Sequence, residues 1–291
     1  MGQPIKSTTL LPRTTDSSTD LISGVDDEGF DIRWSRLRFV ERQLLTQQFT
    51  GEHALTDQLR IDWRYAFSSA LRDEPDRREY YRRSETPAGQ PKDFQQPGRA
   101  DANQRVWRAL GDRIHDIRAD VAHRFEPWAA LEASAKVGAT RMSRDRAVDT
   151  IRPTFKGNLP AEVRRQSPDE VFSDKYIGGA QGWLVDDVTQ GTDATVAEQR
   201  LDAADFLTEL PLMRSLDLMT GLRLENSAQT VDTLDPFSDA VPIAAKVENL
   251  DLLPATTATW RFTDDMRLRG GMAVRYRVPT SVSCRKRLFS T

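Results

Sequence analysis

Residues Glu209 to Glu225 read ELPLMRSLDLMTGLRLE, and the second half of that stretch decides the fold. Leu216, Leu218, Thr220, Leu222 and Leu224 alternate with Asp217, Met219, Gly221, Arg223 and Glu225. A period of two turns one face of an extended strand to an apolar medium and the other to water. A strand in a soluble sandwich alternates in the same way, so the neighbouring segments have to discriminate.

Working outward, the same alternation recurs. One strand is expected over Trp34–His53, with Leu37, Phe39, Leu45 and Phe49 in phase. After a turn near Asp57, Leu59, Ile61, Trp63, Tyr65, Phe67 and Leu71 share a face opposite Arg60, Asp62 and Arg64. The trio Trp63, Tyr65, Phe67 reads equally as an interfacial girdle or as a cross-strand aromatic cluster. Ile117, Val121 and Phe125 then oppose Asp116, Arg118 and Asp120, and Pro127 turns the chain into LEASAKVGATRMS from Leu131. Further strands are expected near Thr195–Leu210, Leu250–Phe262 and from Met266, with turns at Pro211 and Asp264.

Between them lie two long connections, 73–102 and 144–194, and a medium one, Val231–Val247. Ser167 and Pro168 predict a short helix to Phe172 inside the second. Connections therefore run short, long, short, long, short, medium, short. A membrane β-barrel separates short turns from long loops in this way, and a soluble sandwich has no reason to. The expected fold is all-β: a partial antiparallel transmembrane β-barrel of about eight strands, an open curved sheet with long extracellular loops. Its domains are a loop at 1–30, the sheet at 31–271 and a tail at 272–291.

Composition fits. The chain has 291 residues, 38% hydrophobic and 29% charged, with a net charge of −3 that gives no reason to expect nucleic acid. No apolar run of about 18 residues exists for a transmembrane helix. The single Cys284 excludes a disulfide framework. MGQPIKSTTLLPRTTDSSTD lacks the basic and apolar regions of an export signal, so the expectation is that this chain lacks one.

Several blocks resemble the barrel of TonB-dependent outer-membrane receptors: SRLRFVERQLLTQQFTGEHAL from Ser35, LRIDWRYAFSSALRDEPDRREY from Leu59, ELPLMRSLDLMTGLRLE, and VENLDLLPATTATWRFTDDMRLRGG from Val247. The resemblance implies uptake of a scarce ligand, such as a siderophore or carbohydrate, across the outer membrane. It implies outer-membrane lipid and a small-molecule ligand as partners. It also implies the TonB complex, reached through a plug domain. In that family a signal peptide and plug precede a barrel of about 22 strands. No plug is recognisable here, so the expectation is an internal piece, non-functional alone. After Gly271 alternation stops. Read one nucleotide earlier, with permitted codons, the tail becomes YGRTVSRPDFRELSQAPLFD, which resembles the next family segment, and residues 272–291 are expected to be out of frame.

No catalytic motif, phosphate cradle or cofactor site is visible, and His53, His115 and His123 lack ligand spacing, so neither an enzyme nor a metal site is expected. Candidate ligand contacts are the expected lumen wall (Arg60, Asp62, Arg64, Asp116, Arg118, Asp217 and Arg223) and the loop residues Tyr80, Tyr81 and Trp183. The rival reading is a soluble β-rich ligand-binding module. The barrel requires the leucine side to be convex and the charged side, with Glu225, concave. Expressed alone, such an open sheet should aggregate.

Overall fold

The computed structural model describes residues 5–87, 90–98, 102–128, 131–178, 182–235, 238–263 and 265–274. In chain order the strands are β1 Ile5–Leu10, β2 Arg13–Val25, β3 Asp31–Ala54, β4 Leu59–Ser84, β5 Asn103–Trp128, β6 Leu131–Ile151 and β7 Pro153–Lys156. Helices α1 (Ala161–Arg164) and α2 (Pro168–Val171) precede β8 Leu184–Asp187. Then come β9 Thr195–Met213, β10 Leu216–Asp235, β11 Ser238–Arg261 and β12 Arg267–Ala273.

All belong to one 12-stranded sheet whose path runs β1-β3-β4-β5-β6-β9-β10-β11-β12, with antiparallel pairing throughout. Among the described residues the path does not close: β12 pairs only with β11 there, and β1 and β2 lie end to end along β3. The eight expected strands are β3, β4, β5, β6, β9, β10, β11 and β12. Because each neighbour is antiparallel, the connections alternate between the two ends. Segments 55–58, 214–215 and 262–266, with the step from Trp128 to Leu131, share one end. Segments 26–30, 85–102 and 152–194, with the step from Asp235 to Ser238, share the other.

Four details depart from the sequence expectation. Residues 5–25 are strands where a loop is expected; their Ser and Thr side chains are exposed, and backbone pairing to β3 holds them. The long connections are shorter, because β4 runs on to Ser84 and β6 to Ile151. The expected loop Val231–Val247 is mostly strand, since β-branched Val231 and Thr233 sit in an unbroken ladder opposite Ala245 and Ile243. The turn expected over Pro211–Ser215 narrows to Arg214–Ser215, because β9 continues to Met213. Met272 and Ala273 still pair with Thr256 and Ala255 in β12, the Val274 N–H donates to the Pro254 carbonyl at 3.0 Å, and residues 275–291, with Cys284, lie outside the described residues.

The short helix forms where its cap signal places it. Glu170 accepts from both the backbone N–H (3.2 Å) and the hydroxyl (2.9 Å) of Ser167. Its Val171 belongs to an apolar cluster of the long connection with Phe155, Leu159, Val163 and Trp183.

Candidate functional site

Residues opposite one another in register share a face, so the sheet can be read row by row. One row is Ile61, Val121, Val137, Phe206, Leu222 and Pro254, crossing from β4 to β11. The row one residue along is Asp62, Asp120, Gly138, Asp205, Arg223 and Leu253. The expected apolar and charged sets thus fall on opposite faces. Their exposure inverts that of a soluble protein: Val137 is 57% and Phe206 47% exposed, whereas Asp120 is 7% exposed. Among the described residues no second sheet or helix layer lies over the apolar rows, and substantial contacts link only elements adjacent in the sheet or its connections.

The polar face is tied together by ions. Arg118 holds Asp120 with two N–H donors (2.9 and 2.8 Å), and its Nη2 also donates to Asp205 at 3.0 Å, two strands away. Arg223 donates to Asp205 (3.2 Å) and Glu225 (3.0 Å), and Lys136 lies 3.4 Å from Asp120. Gly138 makes the crossing possible. A Cβ there would meet Asp120 Oδ1 at 2.5 Å, Asp205 Oδ2 at 2.8 Å and Arg118 Nη2 at 2.9 Å.

Of the candidate wall residues, Arg118 and Arg223 therefore meet through Asp205. Arg64 pairs with Asp116 at 3.0 Å and Arg60 with Asp62 at 2.9 Å, while Asp217 pairs with Arg261 nearer the short-turn end. Sequence reasoning missed Asp205 and Gly138, which only the β6–β9 register brings beside Arg118. The loop candidates are occupied. Tyr80 stacks on Phe172 at 5.5 Å, and the Tyr81 hydroxyl donates to Asp26 at 3.1 Å. Trp183 is wholly buried, its indole N–H donating to the Val171 carbonyl at 2.9 Å, so it serves the loop core and offers a ligand no surface. Backbone N–H donation from Phe30, joined by Tyr81, Glu28 and the Arg83 charge, holds the Asp26 carboxyl below its ordinary value. Trp63 donates to His53 at 3.0 Å, and the Tyr65 hydroxyl and a His115 ring nitrogen lie 2.9 Å apart. Among the described residues no group of three or more His, Cys, Asp or Glu is placed to hold a metal ion.

Within β4 strand phase breaks at a bulge. Asp76, at φ 57°, is an extra residue in β4, between the register pairs Glu74–Arg108 and Arg77–Val106. The bulge returns Arg77 and Glu79 to the face that carries Glu74.

The apolar rows do not run the full strand length. Across Ile117, Arg141, Asp202 and Asn226, and then Arg113, Asp145, Glu198, Thr230 and Lys246, the same face turns charged. On β10 the apolar stretch is Leu216–Leu224, which at about 3.3 Å per residue and a tilt near 45° stands roughly 20 Å high.

No helix among the described residues is long and apolar enough to cross a membrane. No family model and no curated protein matches the chain. Among solved structures, the siderophore receptor PiuA from Acinetobacter baumannii aligns at TM-score 0.47 and 12% identity, over 90% of this chain and 41% of that one. The alcaligin outer-membrane receptor FauA from Bordetella pertussis aligns at 0.38 and 9%, over 89% and 41%. The ferric yersiniabactin uptake receptor FyuA from Yersinia pestis aligns at 0.38 and 11%, over 91% and 41%. This chain spans about two fifths of the length of each. Likeness at these identities and scores carries no functional weight.

Proposed function

We propose that the chain forms part of the wall of a TonB-dependent outer-membrane receptor, which takes up a scarce ligand such as a siderophore or carbohydrate. The observation that carries this is the inversion of faces: an apolar band that no layer of the described residues covers, backed by a charge-paired polar side. Lipid outside and water inside require that arrangement, with the leucine rows convex and the arginine rows concave. The apolar band, roughly 20 Å high on β10, approaches the about 25 Å belt of an outer-membrane barrel, and Trp128, Trp260 and Phe262 at its short-turn end suit an interfacial girdle. The charged extension and the long connections then stand outside the cell.

Open edges leave backbone donors and acceptors unpaired in lipid, so the sheet needs further strands to close. In a receptor of this kind, energy reaches the ligand site from the TonB complex through a plug, and this sheet alone imports nothing. The rival soluble module would need a layer over Val137, Phe206 and Leu222, and the described residues supply none.

Flotation tests the proposal. Full chain refolded with phosphatidylcholine vesicles should float with them, and added protease should cut within 85–102 and 152–194 while sparing the strands. A lipid-free, monodisperse monomer with a cooperative melt would refute it.

A further inference from the structure

We infer that a cleft on the polar face, beyond the apolar band, takes a soluble polyanion bearing carboxylate or phosphate oxygens; this rests on the receptor reading and narrows its ligand class. The cleft holds about 590 Å³ and is lined by Arg72, Arg108, Arg144, Arg146 and Arg152 over a floor of Leu110 and Val148. That volume suits a small molecule. Register builds it: Arg72 lies opposite Leu110 and Leu110 opposite Val148, while Arg108 faces Thr150 and Arg144 faces Gln199.

Carboxylates are too few for these guanidinium groups. Asp112 is shared by Arg144 (2.9 and 2.5 Å) and Arg146 (3.0 and 2.6 Å). Glu74 is shared by Arg72 (2.8 Å), Arg38 (3.5 Å) and Arg77 (3.7 Å). Of the two carboxylates in the lining, Asp193 pairs with Arg152 at 2.6 Å and Glu198 with Arg200, outside the cleft, at 3.6 Å. Arg108 donates to the Thr150 hydroxyl at 3.1 Å and, among the described residues, forms no ion pair with a carboxylate. Each guanidinium carries five N–H donors, so donor capacity exceeds what these acceptors absorb.

The excess is local. Nearer the short turns, Arg118, Lys136 and Arg223 are matched by Asp120, Asp205 and Glu225. In the larger cavity between the loops, Arg83 is answered by Asp26, Glu28 and Glu85. A cation is repelled from the cleft, and a neutral ligand gives the surplus guanidinium donors no matching charge. An anion with several oxygens accepts their forked bonds. Lipid phosphate shares that chemistry, but it reaches the cleft only if the polar face meets lipid.

The test titrates full chain in phosphatidylcholine vesicles with citrate and with inorganic pyrophosphate at low salt. Saturable binding that weakens with added salt is expected. Arg108→Gln and Arg146→Gln should each weaken it by about tenfold or more, and Arg124→Gln, on the same face outside the cleft, by less than about twofold. Should Arg108→Gln fail to fold, Arg108→Lys keeps the charge without the fork and should also bind more weakly; unchanged binding there counts against the site. No saturable binding of either probe, or equal losses in Arg124→Gln and Arg108→Gln, overturns the inference, as does competition with citrate by phosphatidylglycerol in the vesicles. Quenching of tryptophan fluorescence by acyl-brominated lipid, read on the same sample, separates the two readings. Quenching without anion binding refutes the ligand class alone, and anion binding without quenching refutes the barrel wall while keeping the cleft.

Discussion

Gly138→Ala should destabilise the sheet although alanine is the better strand residue. The added methyl falls 2.5 Å from Asp120 Oδ1, 2.8 Å from Asp205 Oδ2 and 2.9 Å from Arg118 Nη2, so the ion cluster has to open. Charge-assisted hydrogen bonds contribute about 1.5–3 kcal/mol each when well covered. Arg118, Asp120 and Asp205 are only partly covered (side chains 26%, 9% and 16% exposed), so loss of one such bond is discounted to about 2 kcal/mol. Removing a strand glycine returns roughly 0.5–1 kcal/mol. The net is a loss of about 1–1.5 kcal/mol, close to a tenfold fall in the folding constant. The control is Gly24→Ala: a Cβ at Gly24 has nothing within 4 Å, so that variant should gain a few tenths of a kcal/mol. Urea unfolding in lipid vesicles, followed by tryptophan emission, measures both. If the two variants shift alike, the crowding of charges across Gly138 is refuted.

Trp183→Ala should loosen the long connection by about 3–5 kcal/mol, the range for deleting a buried tryptophan, and speed proteolysis within 152–194 while far-ultraviolet dichroism of the sheet holds. Hydrogen bonds from Arg165 and Gln95 bring the Asp93 carboxyl down to about 2. Its folded value lies below its unfolded one, so the tie it makes to Arg165 (2.8 Å) is fully present above about pH 4 and lost as pH falls through about 2. Hydrogen exchange around Arg165 should stay slow down to about pH 3 in the parent and be fast throughout in Asp93→Asn. Leu222→Arg should impair insertion into bilayers by about 2–4 kcal/mol, while Leu253→Arg, on the polar face beside Arg223, should be tolerated; equal effects on flotation would contradict the assignment of faces.

Much of the sheet was legible because half of each strand carries a strong signal. Between Leu216 and Leu224 the two faces meet different media, and the side chains say so at every step. Toward the long-loop end both faces are charged: Arg113 and Asp145 on one, Asp112 and Arg146 on the other. The alternation there carries no apolar contrast, so strands reaching Ser84, Ile151 and Asp235 look like loop. Residues 5–25 were illegible for another reason, since an exposed Ser/Thr-rich edge is held by backbone pairing that side chains do not record. The bulge at Asp76 hides in the same way, by shifting phase within a charged run. Parity alone puts the wall candidates on one common face. Their partners were not, because Arg118 reaches Asp205 across 87 positions of sequence. Trp183 was read as a loop contact because an aromatic among glycines and aspartates gives no hint of the cluster that buries it.

The central claim is that the leucine face meets lipid and the arginine face meets water. Nitroxide labels placed one at a time on introduced cysteines at residues 216–225, with Cys284 replaced by serine, test it in phosphatidylcholine vesicles. Collision with apolar oxygen should peak at 216, 218, 222 and 224, and collision with a water-soluble nickel chelate at 217, 223 and 225, in strict alternation. Reversed phase, or uniform access of the nickel chelate to both sets, would contradict it.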